Sequence, residues 1–181
     1  MMYNTFNMKS LKIFMQNNRT LIYSITYLIA ISIGTIVIHE IGHLLMALAL
    51  GVPLREIKIN FIGINPGLKM PDGLSASFLT YIGFAGGFFA AAILSASYFV
   101  FLYRKYRVKP SLLVWCMGLI TLGTCGEEIG NAIVEGHFHA LYIYSASSPF
   151  NKVNLMIILI ALLGALLHLL IFPFPKMKKK T

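Results

Sequence analysis

The stretch His39-Glu40-Ile41-Gly42-His43 places three proton- or metal-handling side chains inside an apolar run with no other charged or imidazole group between Leu21 and Val52. Positions i and i+4 share a helix face, so His39 and His43 can offer two imidazole nitrogens to one metal ion, with Glu40 beside them to handle a proton. A catalytic zinc ion takes three protein ligands and keeps one position open for water. The metal lowers the pKa of that water and polarises a carbonyl, while Glu40 would take the water's proton and pass it to a leaving amine. On a soluble helix the same five residues are often a solvated face. In hydrocarbon that reading is weak, because burying three such groups unpaired is costly.

The third ligand must come from elsewhere in the chain. A later stretch, CGEEIGNAIVEGHFH, spaces Glu128, Asn131 and Glu135 at intervals of three and four, and His139 extends the stripe, so one helix face can turn toward the metal. Glu128 and Glu135 both lie at a fitting depth, and whichever does not ligate can orient a histidine from outside. Asn131 reads as a bridge between helices or a contact for substrate backbone. His137 reads as an interfacial residue and Glu127 as a solvated helix end.

The elements that position these groups are membrane helices. The chain of 181 residues is 57% hydrophobic and only 12% charged, which excludes an ordinary soluble domain. Four apolar segments, at about 21–51, 74–103, 111–135 and 153–173, each exceed the roughly 20 helical residues that cross a bilayer. The sequence therefore predicts an all-α membrane protein, a single domain over 1–181 with about four transmembrane helices. Residues 1–19 form a cytoplasmic or interfacial segment and 174–181 a basic tail. Between the first two spans, Ile57, Ile59 and Phe61 alternate with Glu56, Lys58 and Asn60, and Asn65-Pro66-Gly67 signals a turn. A short strand or hairpin at the membrane edge follows from that pattern.

The net charge of +9 does not indicate nucleic acid, because the basic residues flank apolar runs and no base-reading motif accompanies them. With the N-terminus inside, eleven Lys and Arg residues fall on the cytoplasmic side and four outside, so both termini are expected in the cytoplasm. The first and third spans then run in the same direction, which brings the two polar stretches to a similar depth. Cys116 and Cys125, nine positions apart in one span, imply neither a disulfide nor a thiolate metal site.

In its motif and order of elements the chain resembles the site-2 protease family of intramembrane zinc metalloproteases. The family's HExxH is matched by His39-Glu40-Ile41-Gly42-His43, and the resemblance implies zinc binding by both histidines and base catalysis by Glu40. The family's third ligand, the aspartate of an LDG motif two helices later, corresponds to Glu135 in Val134-Glu135-Gly136-His137. Here a glutamate stands for the aspartate, and Glu128 is the alternative ligand. A small-residue helix in the family resembles YIGFAGGFFAAA without its Pro and Asn, and a strand-like segment resembles REIKINFIGI. No PDZ-like insertion is present, so the likeness is to a minimal member, covering about 21–140.

The expected activity is zinc-dependent hydrolysis of peptide bonds in or near the membrane segments of protein substrates, with the lipid bilayer as surroundings and one Zn2+ as cofactor. Residues Ile57, Ile59 and Phe61 are the expected substrate-holding strand, pairing with an extended segment by edge addition. The alternative is a zinc transporter of ZIP type, which also carries an HExxH-like motif in a membrane helix. Its acidic and histidine motif precedes that helix, however, and it needs more spans.

Overall fold

The computed structural model describes residues 18–60, 67–137, 152–172 and 174–175, and within them the protein is an all-α membrane protein with a two-stranded sheet. Four helical segments are long and apolar enough to cross a membrane: Arg19–Ala49, Ala76–Val108, Leu112–His137 and Val153–Ile171. They match the four apolar segments read from the sequence.

Helix α1 (Arg19–Ala49) has 31 residues, about 46 Å at 1.5 Å per residue, against roughly 30 Å of hydrocarbon. It must tilt or project. Its buried positions are Thr35, His39, Gly42 and Ala47, while Ile29, Ile33 and Ile36 face outward, as suits a lipid-facing surface. The narrow inward stripe is thus the one that carries the polar motif. The helix ends where Gly51 takes φ +84. Val52 N–H then reaches Ala47 O, and Gly51 N–H reaches Leu48 O, both at 3.0 Å, the paired bonds of a Schellman stop with Val52 packed against Ala47.

A 3-10 turn (Leu54–Glu56) leads into strand β1 (Lys58–Asn60), which pairs antiparallel with β2 (Gly67–Lys69), Ile59 opposite Leu68. Helix α2 (Ala76–Ser97) starts at Ser75, whose Oγ accepts the Phe78 N–H at 3.3 Å, an ordinary N-cap. It continues through a π-turn (Tyr98–Tyr103) into the short α3 (Arg104–Val108). The buried residues Leu94, Tyr98, Leu102 and Tyr106 recur every four positions. Four residues of α-helix overshoot a full turn by about 40°, so the wider π-turn keeps this stripe aimed at its neighbours.

Helix α4 (Leu112–His137) is central, packed between α2 and α5 (Lys152–Ile171) and touching α1. Small residues allow the approach: a Cβ at Gly87 would meet the backbone of Glu128 and Ala132, and one at Gly126 would lie 2.5 Å from Ile160 O. Such close contacts hold helices together where lipid offers no hydrophobic drive. Polar pairs add to them. Thr121 donates to Met117 O at 2.8 Å, so Tyr27 O–H donates to Thr121 Oγ1 at 2.7 Å and ties α1 to α4. At the other end, Tyr98 Oη lies 2.9 Å from His168 Nδ1, joining the π-turn to α5.

Candidate metal centre

The inward stripe of α1 brings His39 and His43 to the same side, their rings 4.7 Å apart and edge to face. Both rings lie against Gly86 of α2, where any Cβ would collide with them. From α4, Glu135 Oε2 stands 3.1 Å from His39 Nε2 and 3.0 Å from His43 Nε2. The three donor atoms lie within 4.8 Å of one another.

The outward nitrogens of both rings are fixed. His43 Nδ1 is 2.6 Å from Ile82 O, and since a carbonyl only accepts, Nδ1 carries the hydrogen and Nε2 presents a lone pair. His39 Nδ1 is 2.5 Å from Glu128 Oε2 in a buried pair, so donation to this carboxylate leaves the His39 Nε2 lone pair facing inward as well. Two lone pairs and a carboxylate oxygen then converge on one point, an arrangement that a cation relieves. Zinc fits this donor set: two imidazoles and a carboxylate make a catalytic ligand trio, with each imidazole held by an outer partner. The two separations from Glu135 are close to the roughly 3.3 Å expected between ligands about 2.0 Å from one ion.

Glu40 is turned away from the trio's inner face. Its Oε2 accepts the Leu68 N–H at 2.9 Å, and with His43 and Glu135 it borders a cavity of about 180 Å3 also lined by Leu68, Met70 and Leu79. A carboxylate beside the donor atoms, oriented by a backbone amide and open to a cavity, is placed to exchange a proton there.

Of the expected site residues, the structure brings together His39, Glu40, His43, Glu135 and Glu128, the last touching His39 from outside the trio. Asn131 lies half-buried on α4 and, among the described residues, makes no hydrogen bond to them. His137 stacks edge-on against Phe84, ring centroids 4.8 Å apart. His139 and Phe61 lie outside the described residues. The strand expectation shifts. Ile57 precedes β1 and is buried with Ala47, Val52 and Ile82, whereas Ile59 is half exposed. The strand bordering the cavity is β2, because the hairpin folds it back over α1. The turn at Asn65-Pro66-Gly67 announced a return strand, but no local pattern announced that its Leu68 amide would meet Glu40. Nor does any sequence signal mark Ile82, whose contribution is a carbonyl. Compared with protein-family models, curated proteins and solved structures, the chain returns no match.

Proposed function

We propose that the protein is an intramembrane zinc metalloendopeptidase of site-2 protease type, cleaving peptide bonds in or near the membrane segments of other proteins. The observation that carries this reading is the convergence of His39 Nε2, His43 Nε2 and Glu135 Oε2 beside the cavity that Glu40 borders. His39, His43 and Glu135 would hold the ion. Bound zinc supplies Lewis acidity, acidifying a water and polarising the scissile carbonyl.

The remaining work belongs to the chain's own groups. Glu128 and the Ile82 carbonyl keep the imidazoles in the ligating tautomer. Glu40 takes the proton of the attacking water and returns it to the leaving amine. A helical substrate hides its carbonyls in hydrogen bonds, so the cleaved segment must unwind, and an extended segment added along β2 would run beside the cavity. The Lys and Arg distribution favours cytoplasmic termini, with the metal centre toward the opposite face.

The test compares the wild type with Glu40→Gln for zinc content and for cleavage of membrane-segment peptides. A peptidase keeps its zinc and loses roughly 100-fold or more of its rate. Undiminished cleavage by the variant would sink the mechanism, and zinc flux into liposomes without cleavage would support transport instead.

A further inference from the structure

At the far end of the second span, Tyr103, Arg104, Arg107 and Val108 border an open groove of about 710 Å3 that continues onto Phe99. Phe99, Tyr103 and Arg107 follow one another at steps of four, so they form one row. The Tyr103 ring lies between the Phe99 ring, centroids 6.1 Å apart, and the Arg107 guanidinium, 5.7 Å away. Arg104 and Val108 form the adjacent row. The groove therefore has an apolar floor at one end and two guanidinium groups at the other. Phe99 and Val108 are exposed, at 51% and 87%, in a segment that belongs to a membrane span.

The two arginines have no acidic partner. Among the described residues, which include all six Asp and Glu side chains, the ion pairs are those of His39 and His43 with Glu128 and Glu135. A guanidinium at the membrane boundary is best satisfied by a phosphate, whose oxygens match its planar fork. The apolar floor favours a phosphate that carries hydrocarbon. We infer that this groove holds one anionic phospholipid, its phosphate between Arg104 and Arg107 and one acyl chain lying along Tyr103 and Phe99. The π-turn contributes by carrying the Phe99 row, unrotated, to the arginines. The groove stands about 27 Å along the helix from Gly86, counting 18 residues, so it is separate from the metal centre and independent of the proposed activity. It also lies at the lysine- and arginine-rich end of the chain, the end expected to face the leaflet where anionic lipids concentrate.

The test reconstitutes the full chain into nanodiscs holding equal phosphatidylglycerol and phosphatidylcholine, extracts it gently and measures retained lipid by native mass spectrometry. The wild type should keep one phosphatidylglycerol in preference to phosphatidylcholine. Replacing both Arg104→Gln and Arg107→Gln should lower that retention roughly thirty-fold, about five-fold per charge, with helix content unchanged by circular dichroism. Arg107→Gln alone should give the single-charge effect if the double variant folds poorly. Replacing Lys178→Gln and Lys179→Gln removes the same charge from the tail and should leave retention unchanged. An equal loss in the tail variant would overturn the site in favour of diffuse charge. Displacement of the lipid by millimolar inorganic phosphate would overturn it in favour of a free-phosphate site, and absence of any preference in the wild type would overturn it outright.

Discussion

His39 is held at both ring nitrogens by carboxylates of one helix: Glu128 Oε2 lies 2.5 Å from Nδ1 and Glu135 Oε2 lies 3.1 Å from Nε2. The seven residues between the two glutamates are two helical turns, so α4 spans the imidazole with one carboxylate on each side. The ring's orientation assigns unlike tasks to two chemically identical groups, and that difference can be measured.

Glu135→Ala should abolish stoichiometric zinc, whereas Glu128→Gln should weaken it by about 10- to 100-fold, the usual effect of removing an outer partner of a ligating histidine. Chelator competition on the purified protein reads both. A larger loss in the Glu128 variant would exchange the two roles.

Gly86→Ala should reduce zinc content, since the new methyl group falls on both imidazole rings. Gly34→Ala is the matched control on α1, where nothing lies within 4 Å of the added carbon, and should leave zinc unchanged. Equal behaviour of the two variants would contradict the close packing of α2 on the histidines.

Leu68→Pro removes the amide that orients Glu40 at a β2 position where the N–H points away from β1, a place a sheet tolerates proline. Cleavage should fall roughly 10- to 100-fold, as expected for a misplaced catalytic group, with zinc retained. Ile59→Pro, on the strand remote from the cavity, should have the smaller effect. If Ile59→Pro costs as much, the cavity-side role of β2 is wrong.

Chelation should inactivate the protein and also lower its melting temperature, because an ion that binds the folded state alone stabilises it by about 2.7 kcal/mol at a hundred-fold excess over Kd. The midpoint should rise again with added zinc. In Glu135→Ala the midpoint should no longer respond to zinc.

The four helices were legible because hydrocarbon sets their length and excludes charge, so that apolar runs and their ends are visible without any partner. The pair His39 and His43 was legible for the same reason, since i and i+4 spacing is local. Glu128 and Glu135 were not separable by sequence. Both fall on one stripe, and only the rotation of α4 against α1 decides which reaches Nε2. The hairpin was half legible: Asn65-Pro66-Gly67 gave the reversal, while the docking of β2 on Glu40 depends on the turn after Ala49 and the burial of Ile57, which are tertiary. Gly86 stood among other small residues as a packing position, and its second task of leaving room for two rings appears only when the helices are assembled.

The π-turn at Tyr98–Tyr103 has a consequence for how the chain tolerates change in length. Such a turn accommodates one residue more than an α-helix would in the same path. Deleting one residue from Val100 to Phe101 would let the segment relax to an α-helix, and everything after it would swing about 100° around the axis. The outward row at Arg104 and Arg107 would then face a different quarter of the membrane, with the two ends of the molecule rephased by a single codon.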